Sequence, residues 1–267
     1  MNAVQRQLAK EPNTGRIKIL TFLIVAAAIL WSSSTLEFSI LGAGGMMIAR
    51  NMFMGIFSPD TSILFDWQNG VPFLLVETLA IAFVGTLVGS ILAVPLAFLS
   101  SVNIVGRPIA FVTNLFIMAI RTVPVFVYGL MFIRVTGPGP FAGLLTMGLA
   151  SVGMVSKLFA ETIEELDTGI IESLDAAGCN GFEKIRYGII PQLSSDFLST
   201  VIYRFDMNIR DVAILGLVGA GGIGAPLIFA MNSHRWNEAG AIIIGLIILV
   251  FIIEWLSTKI RRKLTRG

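Results

Sequence analysis

The stretch Val71–Ser100, VPFLLVETLAIAFVGTLVGSILAVPLAFLS, runs from one end to the other with a single ionisable side chain, Glu77. A bilayer core asks for about 20 mostly apolar residues per helix, and this run exceeds that length. Pro95 inside it predicts a kink. Three more runs of the same kind lie at 17–36, 108–133 and 239–256. The whole composition agrees: 55% of residues are hydrophobic and 13% charged, against about 25% charged in a soluble domain. Such a surface is solvated by lipid. The chain carries one cysteine, Cys179, and one histidine, His234. An intrachain disulfide and a Cys/His metal site are therefore both excluded. The first eighteen residues are polar and basic, with no small-residue cleavage site after the apolar run, so that run reads as a retained anchor.

Two further segments are weaker. The run 141–160 is apolar up to Lys157, whose long stem can snorkel to an interface. The segment 193–217 carries Asp196 near its start and Arg204, Asp206, Arg210 and Asp211 inside. Four central charges cost roughly 10–14 kcal/mol on an insertion scale, and the apolar residues of the segment return only about 5–6. This helix does not sit alone in lipid. It sits in a bundle, with its charges paired or facing a wet path.

The basic residues set the topology. Arg6, Lys10, Arg16 and Lys18 precede the first run, and Lys259, Arg261, Arg262, Lys263 and Arg266 follow the last. The positive-inside rule puts both ends in the cytoplasm, so the number of spans is even. Six spans also bring Arg107, Lys157, Lys184 and Arg186 inside, leaving Arg50, Arg134 and Arg235 outside. The chain then divides into 1–70, holding the basic tail, first span and an external segment, and a core at 71–267. Within 1–70, the stretch 43–57 reads either as a helix along the membrane surface or as an ordinary packed helix. Trp31 and Trp255 read as interface anchors.

The densest charge lies at 161–192, a cytoplasmic loop in this arrangement. Ile170, Ile171, Leu174 and Ala177 recur at helical spacing and make one apolar stripe on a short polar helix. Gly178 follows where a left-handed cap favours glycine. A second short helix at 182–190 is expected to stop at Pro191. A short amphipathic helix on such a loop suits docking into a partner's groove.

Glu172, Gly178 six residues later, and then Ile190–Pro191 are similar to the EAA loop of ABC importer permeases, with Ser173 and Leu174 where two alanines are usual. GPGPFAGLL at 137–145, VSKL at 155–158, YGIIPQ at 187–192, YRF at 203–205 and LGLVGAGGIG at 215–224 together resemble the phosphonate (PhnE-like) permeases over roughly 71–267. The resemblance implies an all-α polytopic membrane protein of about six transmembrane helices with the type I (MetI-like) importer permease fold. It implies a permease dimer in the bacterial inner membrane, two PhnC-like ATPase subunits and an external PhnD-like binding protein. It further implies that ATP and Mg are bound by the ATPase, with no cofactor and no catalytic residue on this chain, and that no nucleic acid is involved. Ile170, Ile171, Glu172, Leu174, Gly178 and Pro191 fall in the part of that family that couples to the ATPase. The cargo implied is a phosphonate or a related phosphorus oxyanion such as phosphite or a phosphate ester.

For an anionic cargo, the arginines of 193–217 acquire a possible role, since guanidinium gives planar, bidentate recognition of such oxygens. Asp206 and Arg210 are four apart and share a helix face, and Arg204 and Asp211, seven apart, share another. Two readings stand: Arg204 or Arg210 lines the translocation path, or these residues pair internally and fix helix packing or a gate. The string GAGGIG at 219–224 fits a dinucleotide fingerprint only as letters, because no strand precedes it. Gly219, Gly221 and Gly222 instead break a helix near the outer mouth, or let helices approach closely. In the third run, Pro124 predicts a kink, and Arg121 either has a structural use, snorkelling inward, or faces the pore.

The competing class is an ion-coupled secondary transporter of a small anion, with Glu77, Asp206 or Asp211 as proton sites. Such proteins show repeated halves, which this sequence lacks. An intramembrane enzyme has few candidate groups for acid–base or thiol chemistry. The chain also carries no phosphate-binding loop of its own.

Overall fold

The computed structural model describes residues 15–34 and 43–266. Arg6, Lys10 and the stretch 35–42 lie outside the described residues. Every regular element described is helical. Contacts divide the chain into two units, Met1–Asn51 and Met52–Gly267. In the first, helix α1 (Gly15–Ser34) is apolar around its circumference and buries none of that surface. A helix of this kind asks for lipid or another helix as its surroundings. Helix α2 (Ala43–Phe57) carries the boundary between the units.

The second unit holds α3 (Thr61–Leu64), α4 (Val71–Ser100), α5 (Val102–Val105), α6 (Arg107–Thr122), α7 (Val125–Thr136) and α8 (Pro140–Glu164). Then come α9 (Thr168–Ala176), α10 (Gly181–Glu183), a π-helical turn (Lys184–Ile189), α11 (Ile190–Gly216), α12 (Gly224–Asn232) and α13 (Trp236–Arg266). The centre of the bundle is the pair α4 and α8. Ala82, Gly85, Thr86, Gly89, Ser90, Ala93 and Ala97 recur every three or four residues on α4 and are all buried. A Cβ on Gly89 would lie 2.5 Å from the Gly148 carbonyl oxygen and from Ser151 Cβ, and one on Gly85 2.5 Å from Met147 Cβ. Lipid supplies no hydrophobic drive for helix association, so close backbone approach through small residues must supply the contact.

Three apolar cores follow α4 along its length. Val71 packs with Ile223, Ala239 and Ile242 at its start. Ile81 and Ala82 pack with Met147, Ile209 and Val212 in the middle. Ala93 and Ala97 pack with Val155, Phe159, Ile189 and Leu193 at its end. The outward faces carry large apolar side chains, among them Ile91, Phe111, Val112 and Phe251, which fits a lipid surround.

Four described helical stretches are long and apolar enough to cross a bilayer: Ile17–Ser34, Val71–Ser100, Pro140–Glu164 and Trp236–Leu264. Helices α6 and α7 pass the same test as a pair bent by 81°. At 27 residues α11 has the length of a span, but its charges keep it out of that set. The six spans expected from sequence are reached only when α11 crosses in the company of its neighbours.

Pro124 does more than kink its helix. Val123 takes an extended conformation (φ −82°, ψ 123°), and the chain restarts as α7 at Val125. The proline ring crowds the backbone before it and pushes that residue out of the helical region. Tyr128 Oη donates to the Ile120 carbonyl at 3.0 Å, satisfying one of the acceptors freed by the break. Pro95, by contrast, lies within a continuous α4.

The last turns of α2 pack closely. A Cβ on Gly55 would fall on the Trp236 carbonyl, and one on Gly240 on the Gly55 carbonyl. Asp60 N–H then donates to the Asn237 carbonyl at 3.0 Å. The Ser62 hydroxyl and amide both donate to the Asp60 carboxylate, at 2.6 and 2.9 Å. These bonds hold its pKa below the ordinary carboxylate value.

A Gly89→Val substitution forces α4 and α8 apart and is expected to cost about 1–3 kcal/mol, read as a lowered unfolding midpoint in detergent. Gly181→Ala, where a new methyl meets nothing within 4 Å, is expected to stay within about 0.5 kcal/mol of the parent.

Candidate translocation path and coupling loop

The charges of α11 fall into two groups on different faces. Arg204 is only 4% exposed. Its Nη2 lies 3.5 Å from Asp211 Oδ2, its Nε donates to Ser151 Oγ at 3.4 Å, and its Nη1 meets Met154 Sδ at 3.2 Å. One turn along, Asn208 is fully buried. Its Nδ2 donates to Thr86 Oγ1 at 2.7 Å and to Ser151 Oγ at 2.8 Å. A polar seam thus joins α11 to α4 and α8 at the bundle centre. Among the described residues, Asn208 Oδ1 and Ser90 Oγ are buried without a partner.

On the second face, Arg210 Nη2 bonds Asp206 Oδ2 at 3.1 Å and Glu254 Oε2, on α13, at 3.3 Å. Both pairings expected from helix spacing are present. Sequence reasoning missed three partners: Glu254, Thr86 and Ser151. Glu254 had a signal, a lone carboxylate inside the last apolar run. Thr86 and Ser151 had none beyond membership in a small-residue stripe.

The glycine motif both breaks the helix and allows close approach. Gly219 (φ +95°), Gly221 (φ +82°) and Gly222 (φ +73°) take left-handed conformations after α11 ends, which few side chains tolerate. Gly139 N–H donates to the Gly219 carbonyl at 2.8 Å. A Cβ on Gly221 would lie 2.7 Å from Pro140 Cα. Ile223 N–H donates to Thr78 Oγ1 at 2.9 Å. The GPGP turn at 137–140 and the GAGGIG turn at 219–224 therefore interlock.

In the loop at 161–192, α9 opens with Asp167, whose side chain accepts from Gly169 N–H. It closes as expected on Gly178 (φ +78°), with Gly178 N–H donating to Asp175 O at 2.9 Å and Cys179 N–H to Leu174 O at 3.0 Å. This is a Schellman cap. Ile170 and Leu174 face the π-turn: a Cβ on Gly188 would run into Leu174 Cδ1 and sit 3.9 Å from Ile170 Cγ2. Asp175 and Lys184 form an ion pair across the same gap. Ile171 is half-buried, while Glu172, Ser173 and Ala176 are exposed.

The expected second helix does not end at Pro191. After a capping box of Asn180 and Glu183, the π-turn passes directly into α11, with Pro191 in its first turn.

A charged helix held by ion pairs inside a bundle of apolar helices, with a short polar helix set off on a loop, is the build of an integral membrane protein. A family model described as a binding-protein-dependent transport system inner membrane component matches residues 85–266, and the chain belongs to that family. It is 31% identical to the putative phosphite transport system permease protein HtxC of Stutzerimonas stutzeri, over 97% of this chain and 89% of that protein. It is 33% identical to the phosphite transport system permease protein PtxC of the same organism, over 76% of this chain and 73% of that protein. Among solved structures, an inward-facing MetNI methionine ABC transporter chain superposes with a TM-score of 0.64 at 21% identity. The superposition covers 73% of this chain and 95% of that one, a likeness of fold.

Asp211→Asn leaves the buried Arg204 guanidinium without its counter-charge, and a broken buried pair costs about 3–5 kcal/mol. Asp206→Asn leaves Arg210 on Glu254 and is expected to cost less than Asp211→Asn. Unfolding midpoints of the two variants in detergent separate the two effects.

Proposed function

We propose that the chain is the membrane subunit of an ABC importer for phosphorus oxyanions, phosphonate or phosphite among them. The loop 161–192 and both termini face the cytoplasm, and the core at 71–267 encloses the path. Two copies of this chain form the path together. Two PhnC-like ATPase subunits bind ATP and Mg and grip α9, and a PhnD-like external protein delivers the anion. Two relatives named as phosphite permeases, at 31% and 33% identity, support this substrate class. The observation that carries the coupling role is the build of α9. Its apolar residues Ile170 and Leu174 fasten it to the π-turn, and Glu172, Ser173 and Ala176 are left outward for a partner.

The mechanism follows from continuity. A push on α9 passes through the Leu174–Gly188 contact into the π-turn, and from there without a break through Pro191 into α11. Displacement of α11 then acts on the Arg204–Asp211 and Asp206–Arg210 pairs and on the glycine turn at its far end. In this reading Gly219, Gly221 and Gly222 form the outer gate, and Arg204, Asp206 and Arg210 hold the gate helix.

Calorimetry of the companion binding protein against methylphosphonate, phosphite, phosphate and sulfate tests the substrate class. Binding of one or more phosphorus oxyanions is expected, and binding of sulfate alone would contradict the proposal. For the coupling role, Glu172→Arg is expected to cut binding-protein-stimulated ATP hydrolysis about tenfold or more, a loss of roughly 1.4 kcal/mol. The folded permease yield should be unchanged.

A further inference from the structure

The break at Val123–Pro124 opens a cavity of about 140 Å³, lined by Ile120, Arg121, Tyr128, Ala150, Met154 and Arg204 among others. Its depth can be read from its walls. A Cβ on Gly153, near the middle of α8, would lie 3.1 Å from Arg121 Cγ, and Arg204 lies near the middle of α11. Arg121 is therefore level with the middles of α8 and α11.

The two arginines differ in how their charge is met. Arg204 is buried against Asp211. Arg121 is exposed, and no carboxylate among the described residues pairs with it. On α11 the positive charges are more than matched, with Arg204 and Arg210 facing Asp206, Asp211 and Glu254. An unmatched guanidinium at that depth is expensive in hydrocarbon and marks a wet or functional surface. The cavity is far larger than one water needs. The first residue of α7, Val125, also lines it, so the amino-terminal end of a 12-residue helix adds partial positive charge on the same side.

We propose that Arg121, at the broken span, is the residue that contacts the oxyanion in transit, with the Arg204–Asp211 pair as a neutral wall behind it. This rests on the reading of the chain as an oxyanion importer. A path must hold its cargo weakly enough to release it. One free guanidinium with an open side meets that condition better than two converging ones.

The test uses the full complex, with its ATPase and binding protein, in proteoliposomes. Uptake of radiolabelled phosphite and methylphosphonate is measured beside binding-protein-stimulated ATP hydrolysis, for the parent, Arg121→Met and Arg121→Lys. Arg121→Met is expected to lower uptake per ATP about tenfold, in line with the loss of a charged hydrogen-bonding partner, while stimulated hydrolysis stays within about twofold. Arg121→Lys, which keeps the charge, should recover a large part of the uptake. Parent-level uptake per ATP in Arg121→Met would overturn the inference while leaving the importer reading intact. A parent complex that carries neither anion would overturn the importer reading, and the inference with it. If Arg121→Met and Arg121→Lys lost assembly and hydrolysis alike, Arg121 would be a packing residue and the inference would be wrong.

Discussion

The buried polar seam of Arg204, Asp211, Asn208, Thr86 and Ser151 is the constraint on which the rest of the bundle depends. A charged α11 cannot enter lipid by itself. It is held because its central charges, Arg204, Asp206, Arg210 and Asp211, each meet an opposite one, and because Asn208 hydrogen-bonds to α4 and α8 together. Those bonds need the hydroxyls of Thr86 and Ser151 within reach, which in turn needs α4 and α8 to touch along their small residues. Gly85, Gly89 and Gly148 on this contact are thus part of the polar chemistry as well as of the packing. Once α11 is fixed, its two ends are placed, one at the π-turn beside α9 and the other at the glycine turn beside the GPGP loop.

Two prolines with opposite local effects shape how the bundle can move. Pro124 divides a span into α6 and α7, bent by 81°, and leaves a cavity at the bend. Pro191 lies where the π-turn passes into α11, and the helical backbone runs on through it. A continuous connection on one side of the bundle and a broken one on the other lets a displacement pass along α11 while space is kept at the bend.

Much of this was legible in the sequence, and the exceptions have physical causes. Apolar runs, basic ends and the spacing of Asp206 with Arg210 and of Arg204 with Asp211 depend on local periodicity, which survives in a linear string. The Gly178 cap was legible for the same reason. The fate of the two prolines was not, because whether a proline kinks, breaks or starts a helix depends on the conformations its neighbours are held in. The stripe Ile170–Leu174 was visible as a stripe, but that it faces Gly188 within its own loop is a tertiary fact. Glu254 as a second partner of Arg210, and Thr86 and Ser151 as acceptors for Asn208, join residues far apart in sequence that no spacing rule connects.

The pairing inside the bundle is tested most directly by a double-mutant cycle on Arg204 and Asp211, with Arg204→Met, Asp211→Leu and the combined variant followed by unfolding in detergent. Replacing both members of a buried ion pair by apolar groups of similar size can be neutral, whereas removing one leaves a lone buried charge. The combined variant should therefore be markedly more stable than the sum of the two single losses. Additive losses, or single variants as stable as the parent, would contradict the claim that this pair holds the charged helix in place.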